Sequence, residues 1–503
     1  MTQTMTPPAQ AAQQAQQAQP VYEISEEDKK RIQRISDAWK AYNGELEPPL
    51  KKMPDGTDPN VLTNRCQPIV DAGVNFLFGQ ELEISIEENG PAEAQDFLDE
   101  VWGRKETRIP LLQDLAYNGA LGGSAFLRIV PDDKGDFRLI TVDPAIVVGM
   151  ETAPQDCETV LCFCIQYSKV ENVNGRQQEV IYREEIMRID PDGNASKGMP
   201  DDDDTWQIQH WTAIGRPGMQ PKQLNWVPAG EPITWDYPFP PLFTCKNLPN
   251  PNNAWGKPDV TPDIIGVNKA INMLQSSIQI IEILYGQPFI YGKGVGESSL
   301  DRTPGRIAIV GPDGEFVALN LTSDVANALV FLDNLRSDMD EQSHFPGIAT
   351  GRLKDMPRGN VSGVALQLLF LSALKKTDGK RCRYGELIIE ASKALLVLNH
   401  MSEDIDITLA WQDPLPHDDL QSLQAAILKK QIGISDTTIQ REQGYDPDEE
   451  LELSQNEDAQ KNIDYSRGKG MPPAPQGPPG MPPQPPMPGQ QQPGQESPFL
   501  GRQ

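Results

Sequence analysis

Histidine and cysteine are scarce in this chain of 503 residues, with 4 of the first and 6 of the second. His210, His344, His400 and His417 show no metal-ligand pairing. Cys66, Cys157, Cys162, Cys164, Cys245 and Cys382 are too sparse for a disulfide framework and fit no common zinc spacing. They read as reduced thiols, and Cys162 and Cys164, two apart on one strand face, read as core. The Walker-type phosphate loop is missing. Tyr291–Gly296 is glycine-rich but lacks the strand–helix setting and the G-x-G-x-x-G spacing, and Gly359–Gly363 is not a nucleophile elbow. The longest apolar run, Ile271–Leu284, is broken by Asn272, Gln275, Ser276, Ser277, Gln279 and Glu282, so no membrane span is expected. The first twenty residues have neither a basic start nor an apolar stretch, and a signal peptide is not expected. Basic charge is also short: 44 Lys and Arg stand against 72 Asp and Glu, a net charge of −28. Such a chain is poorly suited to tight phosphate binding and well suited to repelling non-specific nucleic acid. These absences leave no catalytic constellation, cofactor site or metal site, and they argue for a structural or conduit role.

What is present is an ordered series of helices and strands between two low-complexity ends. Residues 1–20 are mostly Gln, Ala, Pro and Thr, and the chain beyond about Ser466 is Pro, Gly, Gln and Met; neither end can offset its ordering entropy. Ser25-Glu-Glu-Asp28 predicts a capped helix running to about Tyr42, with Ile32, Ile35, Trp39 and Tyr42 on one side. A second helix is expected from near Asn60 to Phe78, a strand over Leu82–Ile86, and helices over Ala92–Trp102 and Glu106–Gly119. Ala125–Val130 and Phe137–Val142 read as a hairpin. Strands follow over Ala145–Met150, Thr159–Ser168, Glu179–Arg188, Thr205–Thr212 and Lys222–Val227, suiting an antiparallel sheet in an α+β domain, with Pro241–Lys246 as a further short strand. Asp201–Asp204 reads as a solvated acidic loop, with a cation site as the alternative.

The stretch Thr261–Met401 has a different character. A long helix, Asp263–Tyr285, carries Ile264, Ile271, Leu274, Ile278, Ile281 and Tyr285 along a narrow apolar seam. The excursion Gly286–Thr322 holds expected strands at Pro288–Tyr291, Ile307–Val310 and Glu315–Leu319, and is too small to build much core alone. A second helix, Ser323–Gln342, places Val325, Leu329, Leu332 and Leu335 at 4-3-3 spacing. His344–Gly359 is broken by Pro and Gly and is locally basic through Arg352, Lys354 and Arg358. A very long helix from about Ser362 to Met401 follows, with Gly379 and Gly385 as expected kink points. It bears the densest basic cluster, Lys375, Lys376, Lys380, Arg381 and Arg383, open to two readings: pairing with acidic neighbours or contact with nucleic acid. Asp404–Trp411 alternates as a strand expected to return to the earlier sheet. Pro414–Asn462 reads as short helices, one ending at Gly433 and one capped by Ser435–Thr438.

This order of parts resembles the portal proteins of tailed bacteriophages, most like the siphophage type. The residues that carry the resemblance are Phe76-Leu-Phe-Gly79, the strand Leu82–Ile86, Ala120-Leu-Gly-Gly-Ser-Ala-Phe-Leu127, Asp143-Pro144 and the Pro/Asn-rich Asn247–Asn253. With them go Phe345-Pro-Gly347 and then Gly359-Asn-Val-Ser-Gly363-Val-Ala-Leu366. The resemblance spans roughly residues 25–460.

It implies an α+β, portal-like subunit: a mixed α/β wing, two long stem helices, a small β-containing clip, a tunnel loop, a long kinked helix and a C-terminal helical crown. The expected divisions are a disordered arm at 1–22, the first part of the wing at 23–260, stem helix 1 at 261–286, the clip at 287–322 and stem helix 2 at 323–343. The tunnel loop would occupy 344–361, the long helix and returning wing strand 362–413, the crown 414–465 and a disordered tail 466–503. It further implies a homo-oligomeric ring, usually of twelve subunits, at one capsid vertex of the virion, assembled in the host cytoplasm. Double-stranded DNA would pass through it non-specifically. The large terminase, the head–tail adaptor, and the major capsid and scaffolding proteins would be its partners. No enzyme activity, cofactor, metal or membrane is implied. His344, Arg352, Lys354 and Arg358 fall in the implied tunnel loop. Another virion structural protein, a capsid or adaptor component, is the alternative.

Overall fold

The computed structural model describes residues 20–53, 56–87, 91–131, 137–173, 176–201, 203–215, 224–286, 289–293, 315–319, 325–352, 363–402 and 404–415, with short pieces at 427–432, 434–435 and 437–439. Residues 1–19 of the expected N-terminal arm, most of the crown, the C-terminal tail, the strand Ile307–Val310, and Lys354 and Arg358 lie outside the described residues, while the end of the expected disordered arm is held in place, the Val21 and Tyr22 N–H groups donating to Glu185 at 3.0 Å. The chain divides into two units, Met1–Pro416 and His417–Gln503. In the second, residues 427–431 are helical and the Thr438 N–H donates to Ser435 Oγ at 3.4 Å, a cap at the position expected from the sequence.

The first unit mixes helices and strands, as expected. Helix α1 spans Glu26–Tyr42 and opens with a complete capping box between Ser25 and Asp28. Its buried stripe is Asp28, Arg31, Ile35, Ala38 and Ala41, so Ile32, Trp39 and Tyr42 are only half-buried. Helix α2 is Cys66–Phe78, strand β1 is Leu82–Ile86, α3 is Ala92–Trp102 and α4 is Lys105–Gly122. Strands β2 (Ser124–Pro131), β3 (Phe137–Val142) and, later in the chain, β10 (Leu242–Lys246) form one antiparallel sheet in the order β10-β2-β3. A second sheet runs β4 (Val147–Thr152), β5 (Val160–Val173), β6 (Arg176–Ile189), β7 (Thr205–Gly215) and β8 (Val227–Pro228), with β9 (Ile233–Trp235) also on β7. The strand expected at Lys222–Val227 is therefore only the two-residue β8, residues 221–223 lying outside the described set. Cys162 and Cys164 are both buried on β5.

Helix α5 (Pro262–Gly286) leads to the paired strands β11 (Phe289–Lys293) and β12 (Glu315–Leu319), then to α6 (Val325–Ser343). The expected long helix is two pieces, α7 (Gly363–Leu369) and α8 (Leu371–Leu398). The break falls at Phe370 and not at the expected glycines. Phe370, at φ −93° and ψ 3°, is buried and stacks on Phe76, with ring centres 5.7 Å apart, so its side chain is held where the helix is interrupted. Gly385 serves contact instead: a Cβ there would press Leu409 Cδ1 at 3.3 Å. The last strand, β13 (Ile407–Trp411), pairs antiparallel with β1 in its own two-stranded ribbon. The long-range return was legible in the sequence, but its partner is β1 and not the larger sheet.

One correction exposes a packing device. The helix expected from Asn60 begins only at Cys66. Asn64 Oδ1 accepts the Cys66 and Gln67 N–H groups at 3.1 and 3.2 Å, and Pro68 is accommodated in the first turn. Residues 61–65 belong to no helix and instead run along α5. Val61 N–H donates to Ser276 Oγ at 2.9 Å, Thr63 N–H to Asn272 Oδ1 at 3.0 Å, and Arg65 N–H to Asn268 Oδ1 at 3.1 Å. Two residues of extended chain advance about 6.6 Å. Four residues of helix advance about 6 Å. Alternate N–H groups of the strap thus meet every fourth side chain of the helix. Asn268, Asn272 and Ser276 are all buried.

The consequence for the expected seam is direct. Ile264 and Ile271 are buried; Leu274, Ile278 and Ile281 are half-buried; and the Tyr285 side chain is outside the described set. On α6, Leu332 and Met339 are buried, while Leu329 is 50% exposed and off the inner face. Replacing Asn272 with Ala leaves the Thr63 N–H without an acceptor. The expected cost is about 1–3 kcal/mol of unfolding free energy, read by chemical denaturation. An unchanged midpoint would show that the strap does not depend on this bond.

Candidate functional site

The region around Asp259 joins α5, α6, the following loop and α8. Asp259 lies just before α5, and its N–H donates to the Ala120 carbonyl of α4 at 2.7 Å. Its carboxylate is almost wholly buried, at 3% exposure. Lys376 Nζ approaches Oδ1 at 2.8 Å and Lys380 Nζ approaches Oδ2 at 2.5 Å, both lysines coming from α8 one helical turn apart. Asn247 Nδ2 also donates to Oδ2 at 3.2 Å and to the Lys257 carbonyl at 3.3 Å. Tyr384, one turn further along α8, donates its hydroxyl to Asn247 Oδ1 at 3.1 Å. A Cβ at Gly119 would collide with that hydroxyl, so α4 and α8 approach closely only because residue 119 is glycine.

Two ammonium groups face one carboxylate. Burial alone would raise the Asp259 pKa, but Lys380 and Lys376 together hold it below the ordinary carboxylate range. Burial pushes Lys380 down, Asp259 opposes that shift, and the neighbouring Lys376 adds to it. The second positive charge has further partners. Lys376 Nζ donates to the Ser343 carbonyl at 2.9 Å, at the C-terminal end of α6, where the helix dipole is negative. It also lies 5.3 Å from the Phe345 ring centre. A single side chain of α8 therefore ties Asp259, three residues before α5, to the last residue of α6.

The loop root is fixed by the same contacts. Ser343 Oγ donates to the Asp340 carbonyl at 3.0 Å and accepts the Phe345 N–H at 3.3 Å. Phe345 is buried edge-on to Phe76, with ring centres 5.6 Å apart. The Ala349 N–H returns to the Pro346 carbonyl at 2.8 Å and the Arg352 N–H to the Gly347 carbonyl at 2.6 Å, a compact turn. His344 sits at φ 65°, its Nδ1 3.0 Å from Ser372 Oγ; burial and then Lys376 hold its pKa below the usual imidazole value. Arg352 Nη1 donates to Asp340 Oδ2 at 2.8 Å.

The five residues of the basic cluster are thus not equivalent. Lys376 and Lys380 turn inward to Asp259, and Lys380 is too deeply buried to reach nucleic acid. Lys375 is exposed and pairs with Asp378 at 3.4 Å. Arg381 donates to the Gln412 carbonyl at 2.6 Å and lies over Trp411, and Arg383 donates to the Gly379 carbonyl at 2.7 Å. Sequence reading found the lysines but not Asp259, which is an isolated acid between two prolines in a turn-rich stretch. Elsewhere Asp204 is buried and pairs with Arg188 at 3.3 Å. Among the described residues no group of three metal-capable side chains converges, and no helix is long and apolar enough to cross a membrane.

Residues 303–464 match the family model described as phage portal protein, SPP1 Gp6-like. The matched segment holds α6, the loop, α7, α8 and β13. The family expected from the sequence, the phage portal proteins, is thus the family that matches, and it is a structural rather than an enzymatic one. Among solved structures, a chain from the virion of a native gene transfer agent particle aligns with a TM-score of 0.43 at 11% identity, covering 82% of this chain and 94% of that one. A chain from the neck of an empty gene transfer agent particle, computed with C6 symmetry, aligns with a TM-score of 0.45 at 11% identity, covering 76% and 91%. At such TM-scores these likenesses fix nothing further about the chain. No curated protein matches it.

Asp259→Asn removes the carboxylate that the buried lysines share. The expected loss is about 3–5 kcal/mol, seen as a lower denaturation midpoint. Because Asp259 titrates below the ordinary range when folded, its contribution is complete above the unfolded value of about 3.9 and drains away as the pH falls further. The midpoint of the unaltered protein is therefore expected to fall more steeply below about pH 4 than that of the Asn variant.

Proposed function

We propose that this chain, carrying the match to phage portal proteins, is one stave of a ring at a single capsid vertex. The ring is the channel through which double-stranded DNA enters the head during packaging and leaves it afterwards, and the platform for the large terminase and then the head–tail adaptor. The observation that carries this reading is the family match over residues 303–464, which covers α6, the loop root and α8, the part of the chain that supplies Lys376 and Lys380 to Asp259. Twelve copies form the ring, and major capsid and scaffolding proteins surround it in the virion. In this reading α5 and α6 are the stem, 287–322 the clip, 344–361 the tunnel loop and 414–465 the crown. Residues 23–260, with α7, α8 and β13, make the wing.

Physical chemistry supports a conduit. A wall that bound DNA tightly would stall it, whereas an acidic chain with a few basic loop residues gives weak, exchangeable contacts with a polyanion. Arg352 holds the loop root to Asp340, while Lys354 and Arg358 approach the DNA backbone. Negative-stain images of the purified protein are expected to show rings with a central hole; shells would favour a capsid component. Reversing Lys354 and Arg358 to Glu is expected to leave ring assembly intact and to lower the DNA packaged and retained per head. Unchanged packaging and retention would overturn the loop assignment.

A further inference from the structure

Helices α1 and α4 face each other across a recess of about 270 Å³, lined by Trp39, Tyr42, Asp114, Tyr117, Asn118 and Thr141. Trp39 and Tyr42 stand three residues apart on α1, and Tyr117 and Asn118 follow Asp114 by three and four on α4, so each helix turns one face to the recess. Thr141 comes from β3. Trp39, Tyr42 and Tyr117 are half-buried: each packs against the core and leaves the rest of its surface to the recess. The rings form walls rather than a stack. Trp39 and Tyr42 meet edge to face, with ring centres 5.9 Å apart and planes at 86°. Tyr42 and Tyr117 meet at 5.8 Å and 63°.

The walls are fixed from behind. The Tyr42 and Tyr117 hydroxyls both donate to Asp71 Oδ1 of α2, each at 3.0 Å. Burial and then Asp71 raise both phenol pKa values, so both hydroxyls stay protonated donors at neutral pH. Asn64 Nδ2 donates to the Tyr42 carbonyl at 2.6 Å, which fixes the helix end that carries that ring. Asp114 is exposed on the other side, and among the described residues neither it nor Asp71 pairs with a lysine, arginine or histidine. The neighbouring Lys40 reaches Asp37 instead, at 4.0 Å. Aromatic faces are themselves electronegative. Three ring walls, with one carboxylate behind them and one at the mouth, thus make a recess of strongly negative character.

We propose that this recess binds an alkylammonium group. Ring faces at steep angles to one another attract a compact cation from several sides at once, and a nearby carboxylate adds Coulomb attraction. A planar guanidinium is served better by parallel stacking, which these rings do not offer. An anion would be repelled by Asp114, and a purely apolar group would strip water from that carboxylate without return. Asn118 and Thr141 supply oxygen acceptors for the ammonium N–H groups. A free amine and the side-chain end of a lysine from another protein share this chemistry. The recess is complete within one copy, so its chemistry does not depend on the ring.

The test uses the full chain and ligand-observed NMR. n-Butylammonium chloride is expected to receive saturation transfer from the protein, and n-butanol, of nearly the same shape without the charge, far less. Equal transfer to both, or transfer to neither, would overturn the proposal. Trp39→Leu keeps apolar bulk but loses the ring face, and Asp114→Asn loses the charge at the mouth. Each is expected to weaken n-butylammonium binding about threefold to tenfold. Circular dichroism identifies the folded variants, and an unchanged affinity in either folded variant would refute this recess. Asp114 is exposed, so its variant decides the matter even if Trp39→Leu does not fold. Diaminobutane and Nα-acetyl-lysine methylamide then separate the two sources. Tighter binding of the diamine supports a free amine as the occupant, and tighter binding of the lysine amide supports a side chain of another protein.

Discussion

The buried carboxylate of Asp259 sets how four helices meet. Asp259 sits where α4, the start of α5, the end of α6 and α8 converge, and its two oxygens receive Lys376, Lys380 and Asn247. Buried ion pairs are weak sources of net stability, because removing charges from water costs nearly what their attraction returns. Their effect is on uniqueness. A hydrophobic contact tolerates sliding by an ångström or more; a carboxylate held by two ammonium groups and an amide does not. If α8 moved by one turn, Lys380 would lose its partner and Tyr384 would lose Asn247. The long helix is therefore locked in register against both paired helices.

The strap along α5 applies the same principle to backbone groups. Chain outside regular structure has N–H groups that need acceptors, and packing against α5 limits their access to water. Asn268, Asn272 and Ser276 supply acceptors at a spacing that matches the strap. The outcome is a helix whose innermost face is partly polar and whose apolar residues lie at several angles. That arrangement leaves α5 and α6 with uncovered faces, Met273 on one and Val330 and Phe331 on the other.

Local signals read well. The capping box at Ser25, the helix Ala92–Trp102, the hairpin strands around Phe137 and the run of antiparallel strands were all legible, because capping, alternation and turn chemistry act within a few residues. Misreadings came where a distant segment decided. Residues 60–65 read as the start of a helix, but the ladder on α5 holds them as a strap outside it. Gly379 and Gly385 looked like kink points, yet α8 passes through both, because Leu409 fills the space beside Gly385 and Phe370 anchors the real break.

The sequence alone determined the class of fold, the absence of a recognisable catalytic motif, the acidic surface and the succession of two helices, a basic loop and a long helix. Period, charge and turn residues are properties of neighbours along the chain, and they survive without a three-dimensional frame. Only the tertiary structure decided what the basic cluster does. Five cations within nine positions look alike on paper. Folding turns Lys376 and Lys380 toward an aspartate more than a hundred residues away and leaves Lys375 in solvent. Whether a lysine is a structural pin or a free charge depends on which way its helix face points and on what desolvates it, and neither is written in its neighbours.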